Sequence, residues 1–83
     1  MKDTDFLEYI LKGIVSFPDD VSVDRGVDEM GVMLTVSLHK EDMGKVIGKQ
    51  GATAKAIRTI LNSFGYNVNA KISMKILEPQ LIN

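Results

Sequence analysis

Apolar residues recur along this 83-residue chain with two periods, and the period changes where the secondary structure is expected to change. Between Asp3 and Ser16, the residues Phe6, Leu7, Ile10, Leu11 and Ile14 fall at helical spacing. That predicts an amphipathic helix, with Asp5 and Glu8 placed as a capping box at its start. Phe17-Pro18-Asp19-Asp20 ends it, because proline cannot continue a helix and restricts the residue before it. Phe17 is expected to fold back onto the core, and Tyr9 and Val15, off the main stripe, to face solvent. The period then drops to two. Val21, Val23, Arg25 and Val27 alternate with Ser22, Asp24 and Gly26, and Val32, Leu34, Val36 and Leu38 alternate with Met33, Thr35 and Ser37. With Asp28-Glu29-Met30-Gly31 as the turn, this is a hairpin with one covered face, and Arg25 is expected near the sheet's end.

Helical spacing returns from Lys40 or Glu41 to Ile47, where Met43, Val46 and Ile47 point one way and Glu41 and Asp42 suit the N-terminal end. A second helix is predicted from Ala52 to Phe64. Its wheel groups Thr53, Ala54, Ile57, Ile60, Leu61 and Phe64 as core, with Lys55, Arg58, Thr59 and Asn62 largely opposite. Gly65 is placed to end that helix, after which Val68, Ala70, Ile72, Met74 and Ile76 alternate with polar residues as a last strand, stopped by Glu78-Pro79. The element order helix, strand, strand, helix, helix, strand predicts an α+β fold: a three-stranded mixed sheet covered on one face by three helices. The connection through two helices is long enough to set the third strand parallel to the second by a right-handed crossover.

An apolar content of 45% with 25% charged residues fits one small globular domain over residues 1–83, with its core at about 4–77 and a short tail at 78–83. No apolar run approaches the roughly 18 residues of a membrane span. The N-terminal segment, with Asp3 and Asp5, lacks the character of a signal peptide, so a cytoplasmic protein without a membrane partner is expected. There is no cysteine and one histidine, which leaves no thiolate or histidine cluster for a metal. His39 reads as a solvent-facing residue at a strand-to-helix junction. No carboxylate pair and no nucleophile with a base is evident, so neither enzyme activity nor a cofactor is expected.

Net charge is −1, but it is unevenly spread. Residues 1–30 hold eight acidic and three basic residues, whereas residues 40–58 hold five basic residues, Lys40, Lys45, Lys49, Lys55 and Arg58, against Glu41 and Asp42. The positive charge therefore gathers around Gly48-Lys49-Gln50-Gly51, two glycines separated by two polar residues between two helical segments. A backbone without Cβ atoms there, at a helix N-terminus with unpaired N–H groups, suits a phosphate. Lys49 adds a mobile charge and Gln50 an amide that donates or accepts. A Walker loop is excluded: Gly44 to Gln50 is one residue short and has Gln where a metal-binding hydroxyl belongs. A dinucleotide-binding loop fails too, since Gly44, Gly48 and Gly51 have the wrong spacing and follow no strand. What remains is helix, G-x-x-G, helix.

Val46-Ile47-Gly48-Lys49-Gln50-Gly51, followed by Ile57, resembles the V-I-G-x-x-G signature of KH domains. Its flanks, Glu41 to Lys45 and Thr53 to Thr59, resemble the small bacterial single-KH proteins of the KhpA type, with similarity from about Phe6 to Pro79. The resemblance implies a type II KH fold, α-β-β-α-α-β, and single-stranded RNA as the partner. It places backbone contacts at Gly48, Lys49, Gln50 and Gly51. Val46, Ile47, Ala54 and Ile57 shape either an apolar groove between the two central helices and the last strand or the core beneath it. Lys45, Lys55 and Arg58 are candidate phosphate contacts. Ala54 stands where many KH domains carry a larger aliphatic residue, which makes the groove wall shallower. The resemblance also implies self-association, or pairing with another KH-containing protein, as the competing role.

Overall fold

The leucines of the first amphipathic stretch are where the core begins. In the computed structural model, which describes residues 2–77, helix α1 (Asp3–Lys12) sends Leu7 and Leu11 fully inside. They join Leu34 and Val36 of strand β2 (Gly31–Ser37), Val46 of helix α2 (Met43–Ile47) and Leu61 of helix α3 (Ala52–Asn67), all without exposure. Ile72 and Met74 of strand β3 (Ile72–Ile76) complete the cluster. Each full burial of such a side chain is worth about 1.5–3 kcal/mol. Strand β1 (Ser22–Asp28) pairs antiparallel with β2, and β3 pairs parallel with β2 on its other side, giving the order β1-β2-β3. The fold is therefore the expected three-helix, three-stranded α+β arrangement with a mixed sheet.

Several boundaries differ from the sequence expectation, each for a local physical reason. α1 stops at Lys12, well short of Ser16 and before Pro18 is reached. Gly13 caps it by donating to the Tyr9 and Ile10 carbonyls, and the Ser16 and Phe17 amides are taken by the Asp42 carboxylate instead of by helix carbonyls. The Asp5/Glu8 capping box does not form because the N-cap position falls at Lys2, three residues before Asp5. There Asp3 accepts from the Thr4 amide at 2.7 Å and from Arg25 Nε at 3.1 Å. Arg25 accordingly sits mid-strand opposite Leu34, on the α1 side, rather than at the sheet's end.

Phe17 does not enter the core. It is 40% exposed and stacks on His39, with ring centroids 4.0 Å apart. His39 is thereby half-buried, and its Nδ1 accepts from the Glu41 amide at 3.1 Å. Lys40–Asp42 is a short 3-10 turn leading into α2, not part of one continuous helix. The hairpin loop is tighter than four residues, since Asp28 and Gly31 still pair in the ladder.

Gly65 does not end α3, which runs on to Asn67. Its role is packing: the Gly65 carbonyl accepts from the Ala70 amide at 2.8 Å, and a Cβ on Gly65 would run into the Ala70 carbonyl and lie 3.2 Å from Ile72 Cγ1. β3 consequently begins at Ile72, four residues after Val68, with Asn69 at φ 56° making the turn. Ile60, expected inside, is 43% exposed, whereas Phe64 is half-buried and stacks on Phe6 at 4.9 Å. The expected stop at Glu78-Pro79 and the tail at 78–83 lie outside the described residues.

Substituting Gly65→Ala is expected to destabilise the domain by about 1–3 kcal/mol, because the added methyl meets backbone that holds β3 against α3. A thermal melt followed by circular dichroism reads this directly; an unchanged midpoint would show that this contact has slack.

Candidate nucleic-acid interface

α2 and α3 are joined by the four residues Gly48 to Gly51, and the chain must reverse within them because Val46 on one side and Ala54 on the other are both buried. The reversal uses positive φ at three of the four positions. Gly48 has φ 76° and ψ 175°, a combination open essentially to glycine alone. Gln50 (φ 57°, ψ 28°) and Gly51 (φ 75°, ψ 13°) follow in the left-handed region. A side chain on Gly48 would also collide with Thr53, coming within 2.7 Å of its Cβ and 2.8 Å of its amide nitrogen. Space around Gly51 is open, so its requirement is conformational only. The Gly51 amide closes the turn on the Gly48 carbonyl at 3.2 Å.

This backbone leaves Lys49 and Gln50 exposed at the tip, directly before the 16-residue α3, whose start has no side-chain cap. Gln50 is a non-glycine residue held in the left-handed region, which costs roughly 1–2 kcal/mol. Lys55 and Arg58 are exposed along the following turns of α3. Tip, helix start and these two cations form one continuous stretch of chain.

The structure separates the other sequence-predicted residues. Val46 has no exposure, Ile57 has 2% and Ala54 has 4%, so these three form the floor beneath the turn rather than a contact surface. Ile47 is half-buried. Lys45 is exposed but directed away from the turn, donating to the Ser16 hydroxyl. The depression beside this region, about 270 Å³, opens between α3 and β3 and is lined by Arg58, Leu61, Asn62, Ile72, Ser73 and Met74. No residue of α2 lines it, unlike the groove expected between both central helices and the last strand. Asn62 and Ser73 are the polar liners that sequence reasoning did not single out; the helical wheel set Asn62 on the outer side, and nothing in the sequence paired it with β3.

Asp42 was expected to serve the helix N-terminus and instead is 1% exposed, accepting from the Ser16 amide at 2.9 Å and the Phe17 amide at 3.0 Å. Burial alone would raise its pKa. The two amides, then the electrostatic influence of Lys45 and of the neighbouring His39, more than offset burial and hold the carboxyl below its ordinary value of 3.8. No buried side-chain polar atom among the described residues lacks a partner. Among the described residues, no three acidic, histidine or cysteine side chains are grouped to hold a metal, and no helix is long and apolar enough to cross a membrane.

A family model described as KhpA/KhpB, KH domain, matches residues 4–76, from the second residue of α1 to the last of β3. The chain belongs to the KhpA/KhpB KH-domain family. Among similar curated proteins, RNA-binding protein KhpA of Bacillus subtilis (strain 168) is 42% identical over 74 residues, covering 89% of this chain and 91% of that protein. RNA-binding protein KhpA of Chlamydia caviae is 40% identical over 89% of this chain and 95% of its own length. RNA-binding protein KhpA of Streptomyces coelicolor is 48% identical over 71% of this chain and 75% of its own. The α+β element order, with its three-stranded mixed sheet and three helices, is consistent with a KH-domain fold.

The Asp42 carboxyl yields a pH expectation. Its folded pKa lies below the unfolded one, so its contribution to stability is complete above about pH 4–5 and fades as pH falls through the lowered value. Wild type should exceed Asp42→Asn in urea midpoint between pH 7 and about pH 5, with the margin shrinking below about pH 3.8. A margin that persists undiminished down to about pH 2 would assign the stabilisation to something other than the ionised carboxylate.

Proposed function

We propose that this chain binds single-stranded RNA, with the Gly48-Lys49-Gln50-Gly51 turn clamping the sugar-phosphate backbone, and that it acts in the cytoplasm as a non-catalytic adapter or RNA chaperone. The observation that carries the reading is the turn itself: three positive-φ residues present an exposed Lys49 and Gln50 next to the uncapped start of a long helix. Amide groups and a lysine at such a place suit phosphate, and a strained non-glycine residue at an exposed tip is retained where it serves contact. Lys55 and Arg58 extend the cationic track, and bases would lie along the α3–β3 depression. The relatives' naming as RNA-binding proteins supports the same ligand class.

Replacing both Lys49 and Gln50 with Asp should weaken binding to short single-stranded RNA by tenfold or more, about 1.4 kcal/mol, because two carboxylates would face phosphate. Both side chains are exposed, so the melting temperature should barely move. Fluorescence anisotropy decides it: wild-type affinity in the double variant would remove the turn from the interface.

A second reading, self-association or pairing with another KH-containing protein, is favoured by the outer face of α3. From Thr59 to Tyr66 it carries no charge, and it exposes Ile60 at 43% and Tyr66 at 85% beside the small, exposed residues Ala56 and Ser63. Small residues let helices approach closely, and the lack of charge lowers the desolvation cost. Dimer should accumulate in analytical ultracentrifugation by about 100 μM, which corresponds to roughly −5.5 kcal/mol; a constant monomer mass through that range would exclude homodimerisation of useful strength.

A further inference from the structure

Building on the RNA-binding reading, we propose that Asp42 is a positioning residue for the glycine turn, latching the α1–β1 loop to the base of α2 so that Gly48 to Gly51 is held in its binding geometry. α2 has five residues, too few to be a stable helix by itself, so its direction is set by whatever holds it. Its far end is Gly48, whose amide closes on the Gly44 carbonyl at 2.8 Å. On its inner side the holder is Val46, fully inside the core. At its base there is no apolar peg of comparable burial, since Met43 is only half-buried.

The base is held by polar contacts to a single loop. Both Asp42 oxygens accept backbone amides, from Ser16 and Phe17; Lys45 reaches the Ser16 hydroxyl; and the Phe17 ring lies on His39, which in turn accepts from the Glu41 amide. Three side chains of the segment His39–Lys45 thus grip two consecutive residues of the loop that follows α1. Asp42 is 26 residues from Ser16 and 25 from Phe17 in sequence, so the latch closes only in the folded chain. From Asp42 to Gly48 the rise along the helix is on the order of 9 Å. A tilt at the base is therefore delivered to the turn with almost no chain in between to absorb it.

An isosteric Asn at position 42 keeps one acceptor and turns the other into a donor facing an amide. The latch then opens while Val46 stays in the core, and the turn samples geometries that do not bind. If the binding-competent fraction falls to about a fifth, the apparent Kd rises about fivefold.

The test uses Asp42→Asn in the full chain at a temperature well below its melting point, with Phe17→Ala, which removes an exposed ring outside the core, as a second opening of the same latch. Amide hydrogen exchange, amide chemical shifts and anisotropy with a mixed-sequence pool of single-stranded RNA hexamers are measured together. Three results are expected: faster exchange at Ser16 and Phe17 in Asp42→Asn, shifted amides at Lys49 to Thr53 without RNA in both variants, and an apparent Kd raised about fivefold in Asp42→Asn and less in Phe17→Ala. Exchange protection lost at Ser16 and Phe17 with both turn shifts and RNA affinity unchanged would overturn the latch while leaving the RNA reading intact. Should Asp42→Asn fail to fold, the Phe17→Ala result decides: unmoved turn amides and unchanged affinity reject the proposal. Absence of RNA binding by wild type removes the RNA reading, and the proposal with it.

Discussion

The chain has four residues in which to turn α2 back into α3 while both helices keep their apolar sides in one core. With Val46 and Ala54 inside on either side of Gly48 to Gly51, the chain makes this connection with positive φ at Gly48, Gln50 and Gly51. The features that make the region look like a binding surface are consequences of this constraint. The tip side chains cannot reach the core and stay exposed, Thr53 packs against the backbone of Gly48 because no Cβ intervenes, and α3 starts without a side-chain cap.

The remainder of the molecule supports the turn from two directions. From below, the sheet and α1 provide a floor of fully buried leucine and valine side chains, with Leu34 and Val36 of the central strand at its middle. From the side, the loop after α1 is held by Asp42, whose carboxylate is stabilised in its charged form by two backbone amides and by Lys45. A buried carboxylate with both oxygens satisfied is rigid because opening it leaves a desolvated charge without partners.

Charge distribution fits a small contact. The acidic residues concentrate in the first thirty positions and the basic ones around the turn, so few phosphates can be neutralised by one copy. Affinity from such a short site grows when two copies, or a copy and a second binding domain, act on one strand, since the second contact becomes intramolecular. The uncharged stretch of α3, with Ile60 and Tyr66 exposed, lies beyond the cationic first turns of the helix.

Periodicity alone determined the element types, their order and most of the core, because a covered sheet face and an amphipathic helix each impress their own spacing on the sequence. The G-x-x-G turn was legible for the same local reason: glycine at a reversal between helices reports backbone conformation, not long-range contact. Only the tertiary structure decided what depends on partners distant in the chain. Asp42 reads as a helix-start residue until Ser16 and Phe17 arrive beside it, and Arg25 reads as a strand-end residue until Asp3 meets it across the α1–β1 contact. Phe17 looks like core until His39 offers it a ring at the surface. Gly65 looks like a helix stop, yet the helix continues because its missing Cβ is needed for the approach of Ala70 and Ile72. In each case the residue's own propensity is worth a fraction of a kcal/mol to about one, and a hydrogen bond, a close backbone contact or a stacked ring from a distant part of the chain outweighs it.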